Sequence, residues 1–389
     1  MKPKRSSRAT VKHGGYTLIQ GKKNKRIIGY IAFACVLSVM VIIAILFNSI
    51  APTGVVDWMK VSFSGNAGGG FPIEYDSSIA NDIYVENERL LVLTGTDIKC
   101  YSSSGAEIYS RIQGYADPSI KTSEMRTLVL ERGSFRYKIE SAYDTVYEDE
   151  LENKIITGDI CNSGTYAIVT ESESELCEVT VYNKNNSAVY RFNSVSGYIT
   201  DVSLSDDGKR LCVVSIGAEN AKLISTVSVY KISSVNAIFT NKYNGEAVYK
   251  CNFNGNNINL ITESRMLRLN SKGEQKEFLF GDLKLQRYEF FGSDTLLCLA
   301  PDAGSAITTV AVISSGCKER AKFSVDCSIV SACADKGSVY LLSDTEVLKY
   351  SYSGELKQSV QTDKGAIGIK ALNGKVIILY ADRLDKVEF

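Results

Sequence analysis

The sequence predicts an all-β protein, a β-propeller of four-stranded blades that follows one N-terminal transmembrane helix. Two observations predict the propeller: a strand–turn–strand pattern recurs about eight times, and its copies begin 37 to 47 residues apart. Four-stranded propeller blades repeat about every 40 to 50 residues. An uncharged stretch of 24 residues near the N-terminus predicts the helix. The number of copies favours eight blades, with seven as the alternative.

Residues 1–26 carry nine Lys or Arg side chains and no acidic one, whereas the rest of the chain carries 35 basic and 44 acidic side chains. The uncharged stretch from Ile27 to Ile50 follows directly, and a helix needs about 20 residues to cross a bilayer. Flanking positive charge stays on the cytoplasmic side. We therefore predict a basic cytoplasmic tail (1–26), a membrane span (27–50) and an extracellular C-terminal domain, localised to the cell membrane as a single-pass protein.

A cleaved signal peptide is the alternative interpretation of the span, because Ser49, Ile50 and Ala51 offer small residues at a suitable spacing. The apolar region of a signal peptide usually covers only about 7 to 15 residues, and Pro52 directly follows Ala51. An uncleaved anchor is favoured. The basic tail lacks the interleaved aromatic residues that would favour nucleic-acid binding, so we predict no nucleic-acid partner.

Residues 51–70 are predicted to form a Gly-rich extracellular tether, and residues 71–389 the β-propeller domain. The run GNAGGG has too few side chains to pack. Trp58, the only tryptophan, would lie either at the outer membrane interface or against the folded domain.

Three segments align without a gap: LLVLTGTDIKCYSSSGAEI (90–108), INLITESRMLRLNSKGEQK (258–276) and VYLLSDTEVLKYSYSGELK (339–357). Each reads as a strand, a hairpin turn, a second strand and a second turn. The second turn contains Gly105, Gly273 or Gly354, and glycine supplies the positive φ that such turns need.

Weaker copies of the apolar run are TLVLE (127–131), YAIVT (166–170), LCVVS (211–215), LLCLA (296–300) and VIILY (376–380). In ITDVSLSDDGKRLCVVS (199–215) we predict a first strand, a turn at SDDG and a second strand. The acids of SDDG suggest a calcium loop, but an EF-hand loop needs more oxygen ligands and a distal Glu. The turn is favoured.

The last copy ends before its outer strand, because the chain stops at Phe389. FPIEYD (71–76) precedes the first blade and belongs to no blade of its own. We predict that it supplies the outer strand of the last blade and thereby removes an open sheet edge.

The repeated pattern resembles that of quinoprotein-like propellers. The whole arrangement of basic tail, span, Gly tether and propeller also resembles an uncharacterised family of single-pass propeller proteins from clostridial bacteria. The Gly-His and Trp-Asp signature of WD40 repeats is missing. Where quinoprotein repeats often carry Trp, this chain has Tyr101, Tyr350 or Leu269.

The residue content argues against an enzyme. The only histidine, His13, lies in the predicted cytoplasmic tail, so the propeller has no Ser-His-Asp triad, Cys-His pair or histidine-ligated metal. Quinone-cofactor enzymes that resemble this fold use a stacking Trp and a vicinal Cys pair, and the domain has neither. We predict no catalytic, cofactor-binding or metal-binding residue and no cofactor.

Ten cysteines are present, and nine of them follow the predicted span. Cys212 and Cys298 lie in apolar runs, where thiols act as small core residues. Cys327 and Cys333 are the closest pair, and six residues along one strand would separate them by roughly 20 Å, too far for a disulfide. Reduced, buried thiols are favoured.

Two functions remain. The first is a non-catalytic scaffold that binds a protein partner in the cell envelope, since tyrosines are favoured at interfaces and the chain has 22. The second is a receptor for a small molecule or glycan in the propeller channel. The absence of Trp beyond the tether favours the scaffold, and the ligand-binding residues remain unknown at this level.

Overall fold

The structure is a computed structural model that describes residues 25–50, 70–75, 80–86, 88–124, 126–141, 144–335 and 337–389. The predictions for the basic tail up to residue 24, which include His13, and for the tether from 51 to 69, which include Trp58, lie outside the described residues.

The described N-terminal element is helix α1, Lys25–Ile50, and its side chains are described from residue 30 to residue 42. Those side chains are apolar or small and exposed, as at Phe33 and Met40. Among the described residues, none forms a helix with the length and apolar character that crossing a membrane requires.

The remaining described elements are 32 strands, β1 to β32, which form eight four-stranded antiparallel sheets. Blade 1 contains β2 (Ala80–Glu86), β3 (Arg89–Thr94), β4 (Asp97–Ser102) and β5 (Glu107–Ile112). Blade 2 contains β6 (Pro118–Thr122), β7 (Arg126–Glu131), β8 (Arg136–Ser141) and β9 (Thr145–Glu150). Blade 3 contains β10 (Ile155–Ile160), β11 (Tyr166–Glu171), β12 (Cys177–Tyr182) and β13 (Ala188–Ser194). Blade 4 contains β14 (Tyr198–Leu204), β15 (Arg210–Glu219), β16 (Lys222–Lys231) and β17 (Ala237–Asn244).

The second half of the ring continues the same order. Blade 5 contains β18 (Val248–Asn254), β19 (Asn257–Thr262), β20 (Arg265–Leu269) and β21 (Gln275–Leu279). Blade 6 contains β22 (Lys284–Phe291), β23 (Asp294–Ala300), β24 (Thr308–Ile313) and β25 (Glu319–Val325). Blade 7 contains β26 (Ser331–Asp335), β27 (Ser338–Leu342), β28 (Glu346–Ser351) and β29 (Leu356–Gln361). Blade 8 contains β30 (Ala366–Leu372), β31 (Lys375–Tyr380), β32 (Arg383–Glu388) and β1 (Ile73–Glu74).

The prediction of eight four-stranded blades is confirmed. The apolar runs that mark the repeat are the second strands of the blades, and they are almost entirely buried, as in β3 and β23. SDDG is the turn between β14 and β15: Asp207 accepts a hydrogen bond from the Ser205 hydroxyl at 2.7 Å, and Gly208 has φ +66°. A Cβ at Gly208 would lie only 2.4 Å from the Ser163 hydroxyl oxygen, so the neighbouring blade also requires glycine there.

The predicted closure of the ring is also confirmed. The strap, residues 71–75, contains β1 and pairs with β32, with Ile73 opposite Leu384. The Tyr75 N–H adds a hydrogen bond of 2.9 Å to the Asp382 carbonyl. Since blade 8 would otherwise end in an open edge at β32, the strap completes it.

The core lies in the seams, where the faces of neighbouring blades pack together. Each seam holds its own cluster of buried side chains, such as Leu128, Ile139 and Ile168 between blades 2 and 3. The strap belongs to the seam between blades 8 and 1, where Tyr75 is buried beside residues of both blades. Because successive side chains of a strand point to opposite faces, each blade contributes to two seams.

All ten cysteines are free thiols in the described part of the chain. Cys212 and Cys298 are buried in second strands, as predicted. The assumption that Cys327 and Cys333 share one strand is wrong, because Cys327 lies in the connection before β26. The turn residues between β25 and β26 interrupt the strand there.

Candidate functional site

The first strands of the blades line the central channel, and neighbouring first strands such as β10 and β14 contact each other. They carry charged side chains of both signs. They include Asp82, Lys121, Asp159, Asp201, Lys250, Glu289 and Lys370.

Several of these side chains hold neighbouring blades together. A first strand is the inner edge of its sheet, so part of its backbone needs hydrogen-bond partners from outside the sheet. Asp201 accepts the Cys251 N–H at 2.8 Å and the Lys250 ammonium at 2.6 Å. Glu289 accepts the Ala334 N–H at 3.1 Å and binds Lys370 at 2.6 Å. These carboxylates therefore have a structural role.

Asp159 occupies the equivalent place in blade 3 and accepts the Leu204 N–H at 2.7 Å. Burial raises the pKa of Asp159 to about 6, although Lys121 opposes the shift. Burial lowers the pKa of Lys121, and the nearby Lys250 ammonium adds to that effect. The channel therefore holds two closely placed lysines that share two acids.

A cavity of about 440 Å³ lies in the channel, lined by first-strand residues of blades 1, 2, 6, 7 and 8. Tyr84, Tyr288 and Phe290 supply aromatic surface, and the Glu289–Lys370 ion pair supplies charge. Aromatic walls with a few fixed polar groups are typical of small-molecule sites.

A second cavity, of about 480 Å³, lies at the outer part of the seam between blades 2 and 3. We call it the acidic groove. Its lining residues are Glu150, Leu151, Glu152, Asn153, Ile168, Thr170, Glu178, Thr180, Tyr182 and Arg191.

Negative charge dominates the acidic groove. The outer strand β9 is exposed from Glu148 to Glu150, and Glu152 follows it. Arg191, the one cation among the lining residues that the structure describes, forms an ion pair of 3.2 Å with Glu178. The three lining glutamates therefore outnumber the lining cations, and a cationic ligand would find unneutralised carboxylates.

A cluster of tyrosines supports the inner wall of the groove. Tyr182 stacks on Tyr166 with ring centroids 4.9 Å apart, and Tyr137 lies 6.0 Å from Tyr166. Tyr147 donates a hydrogen bond of 2.8 Å to Asp149, which raises the pKa of Tyr147 and keeps the phenol protonated. Fixed aromatic faces beside carboxylates suit Lys or Arg side chains.

The sequence predicted no site residue, although it left open a ligand in the propeller channel, so the residues that line the two cavities are identified only by the structure. The tyrosines mostly pack between blades, as at the fully buried Tyr137 and Tyr166. The run YEDELE (147–152) was the available signal for the groove. Across the described residues, no group of three or more His, Cys, Asp or Glu side chains is arranged to hold a metal ion.

Comparison with known proteins identifies the fold and the family. A family model described as "Family of unknown function (DUF5711)" matches residues 73–389. No curated protein matches the sequence.

Solved propellers match the structure over 82% of this chain. Sqt1 of Saccharomyces cerevisiae aligns over 98% of its own chain with a TM-score of 0.59 and 10% identity. The C-terminal WD40 domain of Sif2 aligns over 99% with a TM-score of 0.58 and 12% identity. BamB from Moraxella catarrhalis aligns over 98% with a TM-score of 0.52 and 11% identity. At these identities the likeness shows the propeller fold alone.

Proposed function

The chain belongs to the family of unknown function DUF5711, and we propose that it is a membrane-anchored, non-catalytic propeller that binds a protein partner outside the cytoplasm. The acidic groove is the proposed docking surface. Its occupant is an extended, Lys- or Arg-bearing segment of an envelope protein.

The exposed outer strand of blade 2 carries this proposal. An outer strand leaves part of its backbone N–H and C=O groups unpaired, so an extended segment can add to it. The acids Glu148, Asp149 and Glu150 on β9, with Glu152 after it, complement a basic segment. The same charges also discourage pairing between copies of this chain, which makes a partner of opposite charge the favoured occupant.

Two features support the anchor. The sequence from Ile27 to Ile50 is uncharged and preceded by the nine basic residues of the tail. The described side chains of α1 between residues 30 and 42 expose apolar surface, including Ile31 and Leu37. An anchor there would place the propeller on the extracytoplasmic face.

Fusion reporters test the anchor. A reporter active only outside the cytoplasm should work after Phe389 and fail before Met1. The reverse pattern, or mature protein that begins at Pro52 in the medium, would overturn the anchor without affecting the groove.

Peptide binding tests the groove. Full-length protein in detergent is titrated with fluorescent, extended peptides that carry Lys and Arg at alternate positions. We expect saturable binding that weakens with salt. The triple variant E148Q/E150Q/E152Q should lose roughly tenfold or more in affinity, because several charge pairs are removed together.

The matched control is E107Q/D282N/D302N, which removes three exposed acids from other parts of the ring. Its affinity should equal that of the wild type. Equal loss in both triple variants would indicate net charge rather than the groove, and absence of saturable binding would overturn the docking surface.

The channel cavity favours a second candidate function, a receptor for a small molecule or glycan. Tyr288 and Phe290 offer ring faces beside the Glu289–Lys370 pair. Saturable binding on a glycan array that Y288A abolishes, with unchanged peptide binding, would establish this function instead.

A further inference from the structure

A polar pair interrupts the seam between blades 5 and 6. Cross-strand pairs of second- and third-strand residues face the next blade, and the pair nearer the start of the second strand is compared here. In blades 1 to 4 and blade 6 both are apolar or cysteine: Leu91 and Cys100, Leu128 and Ile139, Ala167 and Val181, Cys212 and Val229, Leu296 and Val312. In blade 5 both are polar, Asn259 and Arg268. Blades 7 and 8 pair an aromatic or apolar residue with a half-buried lysine, Tyr340 with Lys349 and Ile377 with Lys386.

Arg268 is a buried cation in this seam. The residue is only 7% exposed, and its guanidinium donates one hydrogen bond of 2.9 Å to Asn259 Oδ1. In the described part of the chain no carboxylate lies within ion-pair distance of Arg268. The nearby Asp294 forms an ion pair with Arg320 at 2.9 Å. Burial lowers the pKa of Arg268, and the nearby Cys317 and Asp294 only partly oppose that shift.

Two further buried polar atoms at this seam lack hydrogen-bond partners among the described residues. They are Asn259 Nδ2 and the Thr295 hydroxyl, and both residues are fully buried. A buried donor without a partner is costly, so these two atoms add to the cost of the polar pair in this seam. Neither residue lines the cavity described next.

Arg268 lines a cavity of about 380 Å³, together with Asn257, Asn270, Glu274, Gln275, Lys276 and Ser315. Lys276 is the cross-strand partner of Arg268 and adds a second positive charge. Among the described lining residues Glu274 is the single acid, and its carboxylate accepts a hydrogen bond of 2.7 Å from Asn270 Nδ2. The lining therefore combines a net positive charge with amide and hydroxyl donors.

We propose that this cavity binds a small oxyanion, a carboxylate or a phosphate. Arg268 is the principal residue that binds the anion, and Lys276 is the second cation. A guanidinium presents a planar, forked set of donors that matches both anions. The volume falls within the range of roughly 300 to 1,000 Å³ for small-molecule sites, so an anion with an organic part fits. This site lies in a different seam from the acidic groove and is independent of the function proposed above.

Equilibrium dialysis of the full-length protein in detergent tests the proposal, with radiolabelled inorganic phosphate and radiolabelled acetate as separate probes at constant ionic strength. We expect saturable binding of at least one probe, and the arm that binds identifies the anion class. Added anion should also raise the melting temperature, since a ligand that binds only the folded state stabilises it.

The decisive variant is N259L/R268V, which gives blade 5 the apolar pair found in blade 6 at Leu296 and Val312. Replacing a buried charge with apolar residues of suitable size is often neutral or stabilising, so this variant should fold and lose anion binding. Lys276 is exposed, and K276Q should weaken anion binding a few-fold. Lys272 is also exposed but lies outside the lining, so K272Q is the matched control and should keep the wild-type affinity.

Two results would overturn the site: no saturable binding of either probe to the wild type, or unchanged binding in N259L/R268V. If that double variant fails to fold, K276Q still tests the proposal. An anion affinity of K276Q equal to that of K272Q would contradict an anion bound between Arg268 and Lys276.

Discussion

The seam between blades 2 and 3 and the seam between blades 5 and 6 occupy equivalent places in the ring but contain opposite chemistry. The first packs Leu128 and Ile139 inside and presents acids at its rim. The second places Asn259 and Arg268 inside and Lys276 at its rim. The ring thus tolerates the buried Asn259–Arg268 pair where packing alone would favour apolar side chains, and this is the observation behind the proposed oxyanion site.

Both seams lie in one closed ring, so the largest effect should come from breaking the closure. Deleting the strap, residues 71–75, removes the β1–β32 pairing and the buried Tyr75. Each lost hydrogen bond contributes about 0.5 to 1.5 kcal/mol, and several together with lost burial approach the roughly 5 to 15 kcal/mol that keeps a domain folded. The deletion should aggregate or melt markedly lower in thermal unfolding.

Deleting residues 64–69 of the predicted tether is the control, and it should leave the melting temperature nearly unchanged. Equal melting of the two deletions would show that neither seam depends on closure by the strap.

The next largest effect separates the interiors of the two seams. Ile139 is fully buried, and I139A should cost about 2 to 5 kcal/mol in urea denaturation, because it loses burial and leaves a cavity. N259L/R268V should change the free energy of unfolding little or increase it. A loss in the double variant as large as that of I139A would mean that the polar pair is required for packing.

A third effect concerns the pH dependence of stability at Asp159, a buried carboxyl with two lysines nearby. The pKa of Asp159 rises from 3.8 to about 6, chiefly through burial, with Lys121 and Lys250 opposing and Asp201 adding to the shift. Because the folded pKa exceeds the unfolded one, this group favours folding below about pH 4, and that contribution is lost as the pH rises through about 6.

D159N retains an oxygen for the Leu204 N–H but has no charge. It should match the wild type near about pH 4 and exceed its stability by on the order of 1 to 3 kcal/mol above about pH 7. Urea denaturation at the two pH values measures the difference. A variant that loses stability at the higher pH would show that the ionised Asp159 is favourable in the ring.

The blade count, the second strands and the strap could be predicted from the sequence because they depend on local signals: apolar runs, turn residues and a constant spacing. The polar pair of blade 5 was also present in the gapless alignment, where Asn259 aligns with Leu91 and Arg268 with Cys100. Its burial was not predictable, because that depends on blade 6. The acidic groove joins Glu150 and Glu178 from different blades, and such contacts leave no local pattern.

The smallest effect on stability should come from the rims, where the two seams differ most in charge. Glu150 and Lys276 are both exposed, and exposed substitutions usually change stability by less than about 0.5 kcal/mol. E150Q and K276Q should therefore melt like the wild type, yet E150Q should weaken binding of the basic peptide and K276Q binding of the oxyanion. Each variant serves as the control for the other, because neither should affect the opposite ligand. If each variant weakens both ligands, the charge of the whole propeller governs binding, and the contrast between the two seams has no functional meaning.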